Sequence, residues 1–318
     1  MTSRELVKAA LTFQDYDTVP IEIRDTLCPP IHYPQWYVGA PPNTRGRRTD
    51  PWGCVWESME DGVCGEVIGH PLDDWSQLDE FSPPWHILDQ ADLSAVNRFC
   101  RNTDKFVIPQ WEPSMPNLFE RMQYLRGTEN LFMDLAEGDE RVIELRDRVQ
   151  QYHLKQLAMW CDTEVDGVQF ADDWGSQISM LISPVTWRKI FKPLYRQYCE
   201  LAHSKGKFIL MHSDGCVAEI IPDLIEIGVD ALNLQLFCMD IEKLADLYHH
   251  KIAFWGEIDR QKIQVFGTTG DMRKAVRRLA DAFFRHGHTG LIAQCLYTMN
   301  VPEENKLAEW DEWQNVLL

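Results

Sequence analysis

The sequence predicts an α/β protein: a (β/α)8 TIM barrel with an N-terminal extension and long loops over the C-terminal face. Three observations predict it. Apolar runs of strand length alternate with helix-patterned segments, their number is near eight, and no GxGxxG turn of an open doubly wound sheet follows the first run. The 318 residues fit one barrel domain, 1–318, because such barrels commonly reach about 250 residues or more.

Residues 3–11 form the first helix, capped by Thr2 or Ser3, and 18–24 (TVPIEIR) form the first barrel strand. Residues 25–51, rich in Pro, Tyr and Arg, show neither period and make a long excursion over one mouth of the barrel. Their Arg45-Gly46-Arg47-Arg48 cluster reads as a solvated basic turn, with an anion site as the alternative. Residues 50–56 (DPWGCVW) and 64–72 form a hairpin or edge insertion, and a helix covers 92–100. The second barrel strand is 106–110 (FVIPQ), followed by helices over 117–125, 130–136 and 139–159. Strand 165–171 ends on Asp172-Asp173-Trp174-Gly175-Ser176-Gln177, and Ser183-Pro184 opens a helix to residue 204. Strand 251–255, helix 271–286, strand 290–294 and helix 302–316 complete the alternation, the last helix packing its Trp310 and Trp313 within the chain.

Between these lies the stretch that organises the chain, residues 207–235. An apolar strand, 207–211, stops at His212-Ser213-Asp214-Gly215. A helix over 218–227 with Gly228 as its C-terminal cap follows, and strand 229–234 comes next. In parallel α/β folds, function collects on loops after strand C-termini, which is where His212 and Asp214 stand.

A formal charge of −18 argues against a non-specific nucleic-acid binder, which needs a basic face. Nine cysteines without a CxxC pair do not resemble a disulfide framework, so most are reduced core residues. No signal-like start and no apolar run of about 18 residues is present, which predicts a cytoplasmic protein without a membrane span. Monomer and homodimer both remain open.

Strand ends deliver Arg24, Asp25, Gln110, Glu112, Asp172, Asp173, Gln177, His212, Asp214, Gln235, Glu257, Asp259 and Cys295 to one face. His212, Glu257 and Cys295 together make a three-ligand zinc site with an open fourth position; Asp214 could replace Glu257 or support His212. The plainer alternative gives His212 a backbone partner, Glu257 an arginine and Cys295 a packing role. Asp172 and Asp173 serve as general acids or orient substrate, or else cap a helix. Trp174, Trp111 and Trp255 could wall a pocket for a flat or methylated cationic ligand, and as lone tryptophans could equally be core.

Over nearly its whole length the chain resembles the uroporphyrinogen decarboxylase superfamily. The resemblance is carried by SRELVKAALTFQDYDTVPIEI, DPWGCVW, HPLDDWSQLDEFSPP, DDWGSQISMLISP, HSDGCVAEIIPDLIEIGVDALN, FWGEIDRQ and GLIAQC. It implies a (β/α)8 barrel and one of two activities. Decarboxylases of this superfamily carry an arginine-rich segment after the first strand to hold a polycarboxylated tetrapyrrole; here EIRDTLCPP keeps Arg24 alone. The other branch is similar to cobalamin-dependent methyltransferases, whose zinc site uses a His-x-Cys pair and a distant cysteine. His212 and Cys295 match its first and last positions, and Asp214 stands at the middle one. The resemblance therefore implies zinc-assisted methyl transfer between a small methoxy, methylamine or methylthiol compound and a corrinoid, the corrinoid being carried by a partner protein. In this scheme Asp172, Asp173 and Asp214 are catalytic, and Arg24, Gln110, Trp111, Gln177 and Gln235 bind substrate. Porphyrinogen decarboxylation and a non-catalytic ligand-binding barrel are the alternatives.

Overall fold

The computed structural model describes residues 1–30, 38–39, 42–109, 115–285 and 290–316. The barrel strands are β1 (Thr26–Leu27), β2 (Phe106–Val107), β3 (Gly167–Ala171), β4 (Phe208–Ser213), β5 (Ala231–Leu234), β6 (Ala253–Gly256) and β7 (Leu291–Ala293). β3 to β7 pair in parallel in sequence order. β1 pairs in parallel with β2, and Asp166 N–H donates to the Val107 carbonyl at 2.8 Å, joining β2 to the larger sheet. On the other side Ile21 bridges Ala293 in parallel, so residues 20–21 bring the ring round towards β1. Helices cover the outside, as expected for the (β/α)8 class.

The strand expected over 18–24 is broken. Glu22–Asp25 is a helical turn, because the Asp25 carboxylate accepts from Ile21 N–H at 2.8 Å while Asp25 N–H donates to the Ile21 carbonyl at 2.8 Å. Ser3 Oγ also donates to Asp25, at 2.6 Å, which ties the first helix, Ser3–Leu11, to this turn. The helix expected over 184–204 is two, Pro184–Ile190 and Lys192–Ser204. Pro193 has no N–H to continue the ladder across Phe191.

The core is one continuous apolar cluster, with Trp160, Trp174, Trp187 and Trp313 among its largest buried side chains. Trp313 anchors the last helix, Glu303–Gln314, whose Glu312 pairs with Arg273 and Arg277 of helix Thr269–Ala280. The insertion is a small antiparallel sheet in which Gly46–Thr49 is a strand, not a solvated turn. Arg48 is buried over the Trp56 ring and donates to the Cys64 carbonyl; Arg47 pairs with Glu57. Asp50 fixes this sheet to the barrel by accepting from Trp52 N–H, Cys54 N–H and Trp56 Nε1, and by pairing with buried Arg121 at 2.8 Å. Among the described residues no helix is long and apolar enough to cross a membrane.

Candidate active site at the barrel mouth

The loops after β3 and β4 lie backbone against backbone. Gly175 N–H donates to the Asp214 carbonyl at 3.1 Å and Cys216 N–H to the Ser176 carbonyl at 2.7 Å. Only glycine suits the contact at Gly215: its φ is +78°, and a Cβ there would stand 2.1 Å from the Gly175 oxygen. Asp214 N–H in turn donates to Asp173 Oδ1 at 2.8 Å, and Gly215 N–H donates to Gln235 Oε1 at 3.0 Å. These bonds bring Asp173 and Asp214 beside His212, the penultimate residue of β4.

The His212 ring is oriented from below. Asn233 on β5 uses its amide N–H groups on the Trp255 carbonyl and Gln294 Oε1, both at 2.9 Å, leaving its oxygen to accept from His212 Nδ1 at 2.5 Å. That network assigns the proton to Nδ1 and leaves a lone pair on Nε2 whenever the ring is neutral. Nε2 faces Asp173 Oδ1 at 3.5 Å and Asp214 Oδ1 at 3.6 Å. A lone pair opposed by two carboxylates is unfavourable without positive charge among them; Arg260 supplies one at Asp214 Oδ1, and a proton or a metal cation at Nε2 would supply the rest. Four-coordinate zinc with bonds of about 2.0–2.1 Å needs ligand atoms about 3.3–3.4 Å apart, close to these two separations. Asp173, His212 and Asp214 form the only cluster of His, Cys, Asp or Glu among the described residues that could hold a metal, with donor atoms within 4.8 Å of one another. The residues thus fit a divalent cation, through one nitrogen and two carboxylate oxygens. Burial pushes the Asp173 carboxyl up, with His212 pulling it back.

The expected set of His212, Glu257 and Cys295 does not assemble. Glu257 is held by Arg260, whose Nε lies 2.6 Å from Glu257 Oε1 and whose Nη2 reaches Asp214 Oδ1. Burial nevertheless pushes Glu257 up to about 8. Cys295 fails for a geometric reason. Successive side chains beyond a strand alternate in direction, so with Gln294 lining the lumen Cys295 turns outward to Tyr297 and Glu309. Burial raises its thiol above the ordinary range.

The remaining expected residues separate by environment. Asp172 is fully buried; its Oδ1 accepts from Glu120 N–H at 2.9 Å, and Tyr195 donates its hydroxyl to Oδ2. It caps helix Leu118–Arg126, which has no capping bond from Asn117, and is a structural group rather than a general acid at the mouth. Burial pushes it up to about 7. Trp174 is core, stacked on Phe119 at 4.0 Å between ring centroids. Arg24 pairs with Asp25 at 2.7 Å and donates to the Val19 carbonyl at 3.1 Å, so it is not a free anion-binding arginine. Gln110 and Trp111 lie outside the described residues. Gln177 and Gln235 line a rim pocket with Cys238, Glu257 and Arg260. A second, narrow pocket runs into the barrel lumen beneath His212, lined by Glu22, Gln169, Asn233, Trp255 and Gln294. Glu22, Asn233, Gln294 and Arg260 were not legible as site residues. Only Arg260 had a sequence signal, its spacing of three from Glu257 in GEIDR.

In class, the molecule is a parallel (β/α)8 barrel whose strand ends converge on one polar, acid-rich mouth. The chain belongs to the uroporphyrinogen decarboxylase (URO-D) family, whose model matches residues 119–311. Among solved structures it is similar to a methyltransferase from Methanosarcina mazei, with a TM-score of 0.74, 12% identity and 99% of each chain covered. At that identity the likeness is one of fold. Xylanase 10B from Thermotoga maritima gives a TM-score of 0.43 at 7% identity, over 99% of this chain and 98% of that one. A D-psicose 3-epimerase gives 0.40 at 10% identity, over 76% and 82%. No curated protein matches the chain.

Proposed function

We propose that the protein transfers a methyl group between a small methylated compound and a corrinoid, assisted by a divalent cation, zinc among the candidates, held by His212, Asp173 and Asp214. The observation that carries this reading is the His212 Nε2 lone pair aimed at two carboxylates 3.5 and 3.6 Å away at the barrel mouth. Family membership and the fold shared with a protein described as a methyltransferase support it. Porphyrinogen decarboxylation is less well supported, because Arg24 is already paired with Asp25 and the mouth is acidic.

When bound, the cation would supply Lewis-acid polarisation of the heteroatom that carries the methyl group, and a reduced corrinoid would supply the attacking electron pair. The methyl carbon would pass from the heteroatom to the corrinoid, and the heteroatom, keeping the electron pair of the broken bond, would take a proton. The chain's own residues set the geometry. Asn233 fixes the His212 ring, the Gly175–Gly215 contact fixes Asp173 against Asp214, and Arg260 neutralises one of the carboxylates at the rim. Glu257, 5% exposed and held by Arg260, stands beside the rim pocket with its carboxyl pushed up by burial. A corrinoid protein as partner would approach this mouth.

The test is methylation of free cob(I)alamin, followed spectroscopically, with a panel of methoxylated, methylamine and methylthiol compounds. Metal content is measured on the same protein. Methylation that disappears on chelation, returns with divalent metal and is lost in His212→Ala is the expected result. Full activity in rigorously metal-free protein would remove the cation, and inactivity across the panel would remove methyl transfer.

A further inference from the structure

One oxygen at the mouth is claimed twice. Asp214 Oδ1 faces His212 Nε2 at 3.6 Å, where it belongs to the candidate cation site, and it also accepts from Arg260 Nη2 at 2.5 Å. Among the described residues no other side chain pairs with that carboxylate. Asp173 differs, because the Asp214 N–H fixes it at 2.8 Å whatever Arg260 does. In the metal-free protein the guanidinium is therefore what holds Asp214 towards His212.

Arg260 has a second anchor. Its Nε lies 2.6 Å from Oε1 of Glu257, which is three residues earlier and 5% exposed. A planar guanidinium offers several N–H groups in a fixed fork, so Nη2 can let go of Asp214 while Nε keeps the side chain at the rim. Arginine does not shed its proton in proteins, so this positive charge can be moved but not neutralised. A cation bonded to Asp214 Oδ1 at about 2.0–2.2 Å would stand no more than about 4.7 Å from Nη2. At an effective dielectric of about 20, repulsion at that range weakens binding by roughly several hundredfold per unit of charge, and by less where water and salt screen it. The Arg260 side chain is 22% exposed, so part of that effect survives.

We infer that Arg260 is a built-in competitor at the cation site: it positions Asp214 while no metal is bound and, by opposing the incoming charge, makes divalent-cation binding weak and reversible. That a cation binds there at all rests on the reading given under the proposed function; the guanidinium on Asp214 does not.

The experiment is titration of the full chain, without corrinoid, with zinc and with manganese at pH 8 and fixed ionic strength, in competition with a chromophoric chelator. The binding counted is that lost in His212→Ala. Arg260→Gln is expected to bind both metals at least tenfold more tightly than the parent, and Arg260→Lys, which keeps the charge, to stay within threefold of it. Lys262, exposed on the same rim pocket, is the control for general charge, and Lys262→Gln is expected to stay within threefold as well. An Arg260→Gln protein that binds metal no more than threefold more tightly than the parent overturns the inference, as does a Lys262→Gln protein that gains as much as Arg260→Gln. If Arg260→Gln does not fold, judged by its melting transition, the arginine side-chain N–H resonances of the unmodified protein decide: zinc is expected to shift one of them, and none moving overturns the inference. Metal binding that Arg260→Gln leaves unchanged and His212→Ala abolishes removes the competitor and keeps the cation. Binding tightened in Arg260→Gln, with no methylation by any form of the protein, keeps the competitor and removes the methyl-transfer reading.

Discussion

Replacing Asp172 by alanine separates structure from chemistry at the mouth. Its Oδ1 receives the Glu120 N–H at 2.9 Å at the start of helix Leu118–Arg126, and its Oδ2 receives the buried Tyr195 hydroxyl. Losing a helix-capping acceptor costs about 0.5–2 kcal/mol. The orphaned Tyr195 hydroxyl adds about 1–3 kcal/mol, because no water replaces the lost acceptor in a fully buried site. The combined loss is about 2–5 kcal/mol, a fall in melting temperature of roughly 5 °C or more at a few degrees per kcal/mol. Asp172→Asn keeps one acceptor oxygen and is expected to lose less. Urea and thermal melts read the stability, and methylation per folded molecule reads the chemistry. An Asp172→Ala protein with an unchanged melt but no methylation would refute the capping argument and return Asp172 to the reacting groups.

Three further outcomes follow from other parts of the structure. His212→Ala and Asp214→Asn are expected to lose bound divalent metal by elemental analysis, whereas Cys295→Ser retains it; metal loss only in Cys295→Ser would reverse the ligand assignment. Gly215→Ala places a Cβ against the Gly175 carbonyl at a positive φ, so it should destabilise the protein by several kcal/mol or prevent folding, and a parent-like melt would contradict the contact. Glu309 is fully buried and burial pushes it up to about 8 from 4.5, so the folded state holds a proton that the unfolded chain releases. Its contribution to stability is complete below pH 4.5 and falls away as pH rises towards 8. The ceiling on that loss is on the order of 5 kcal/mol. Melts of Glu309→Gln should depend less on pH than the parent over that interval, and identical slopes would refute the buried neutral carboxyl.

The barrel was legible because it is written in local pattern. Buried parallel strands read as unbroken apolar runs, as in FILM before His212 and GLIA before Gln294, and each is followed by a helix with its own start and stop signals. The break in the first strand was not legible, because it depends on the Asp25 carboxylate competing for the Ile21 N–H, a choice that TVPIEIR does not display. His212, Asp214, Asp173, Gln177 and Gln235 could be placed at the mouth from topology alone, since each lies at or beyond the end of an apolar run.

Which of them meet is another matter. Strand parity turned Cys295 away from the lumen that Gln294 lines, and an arginine three residues on took Glu257. Asp172 and Asp173, adjacent in the chain, went to different tasks, one beneath a helix terminus and one beside an imidazole. By itself the sequence determined the parallel α/β barrel, the acidic character of the molecule and the set of polar residues available at its rim, because these follow from periodicity, composition and order along the chain. The tertiary structure decided which carboxylates face His212, which are neutralised by Arg260 or held by backbone N–H groups, and that Glu22 enters the same cavity as Trp255. Those outcomes depend on side-chain direction and on competition for hydrogen-bond partners between residues as much as 233 positions apart, as Glu22 and Trp255 are. No local pattern encodes such a contest.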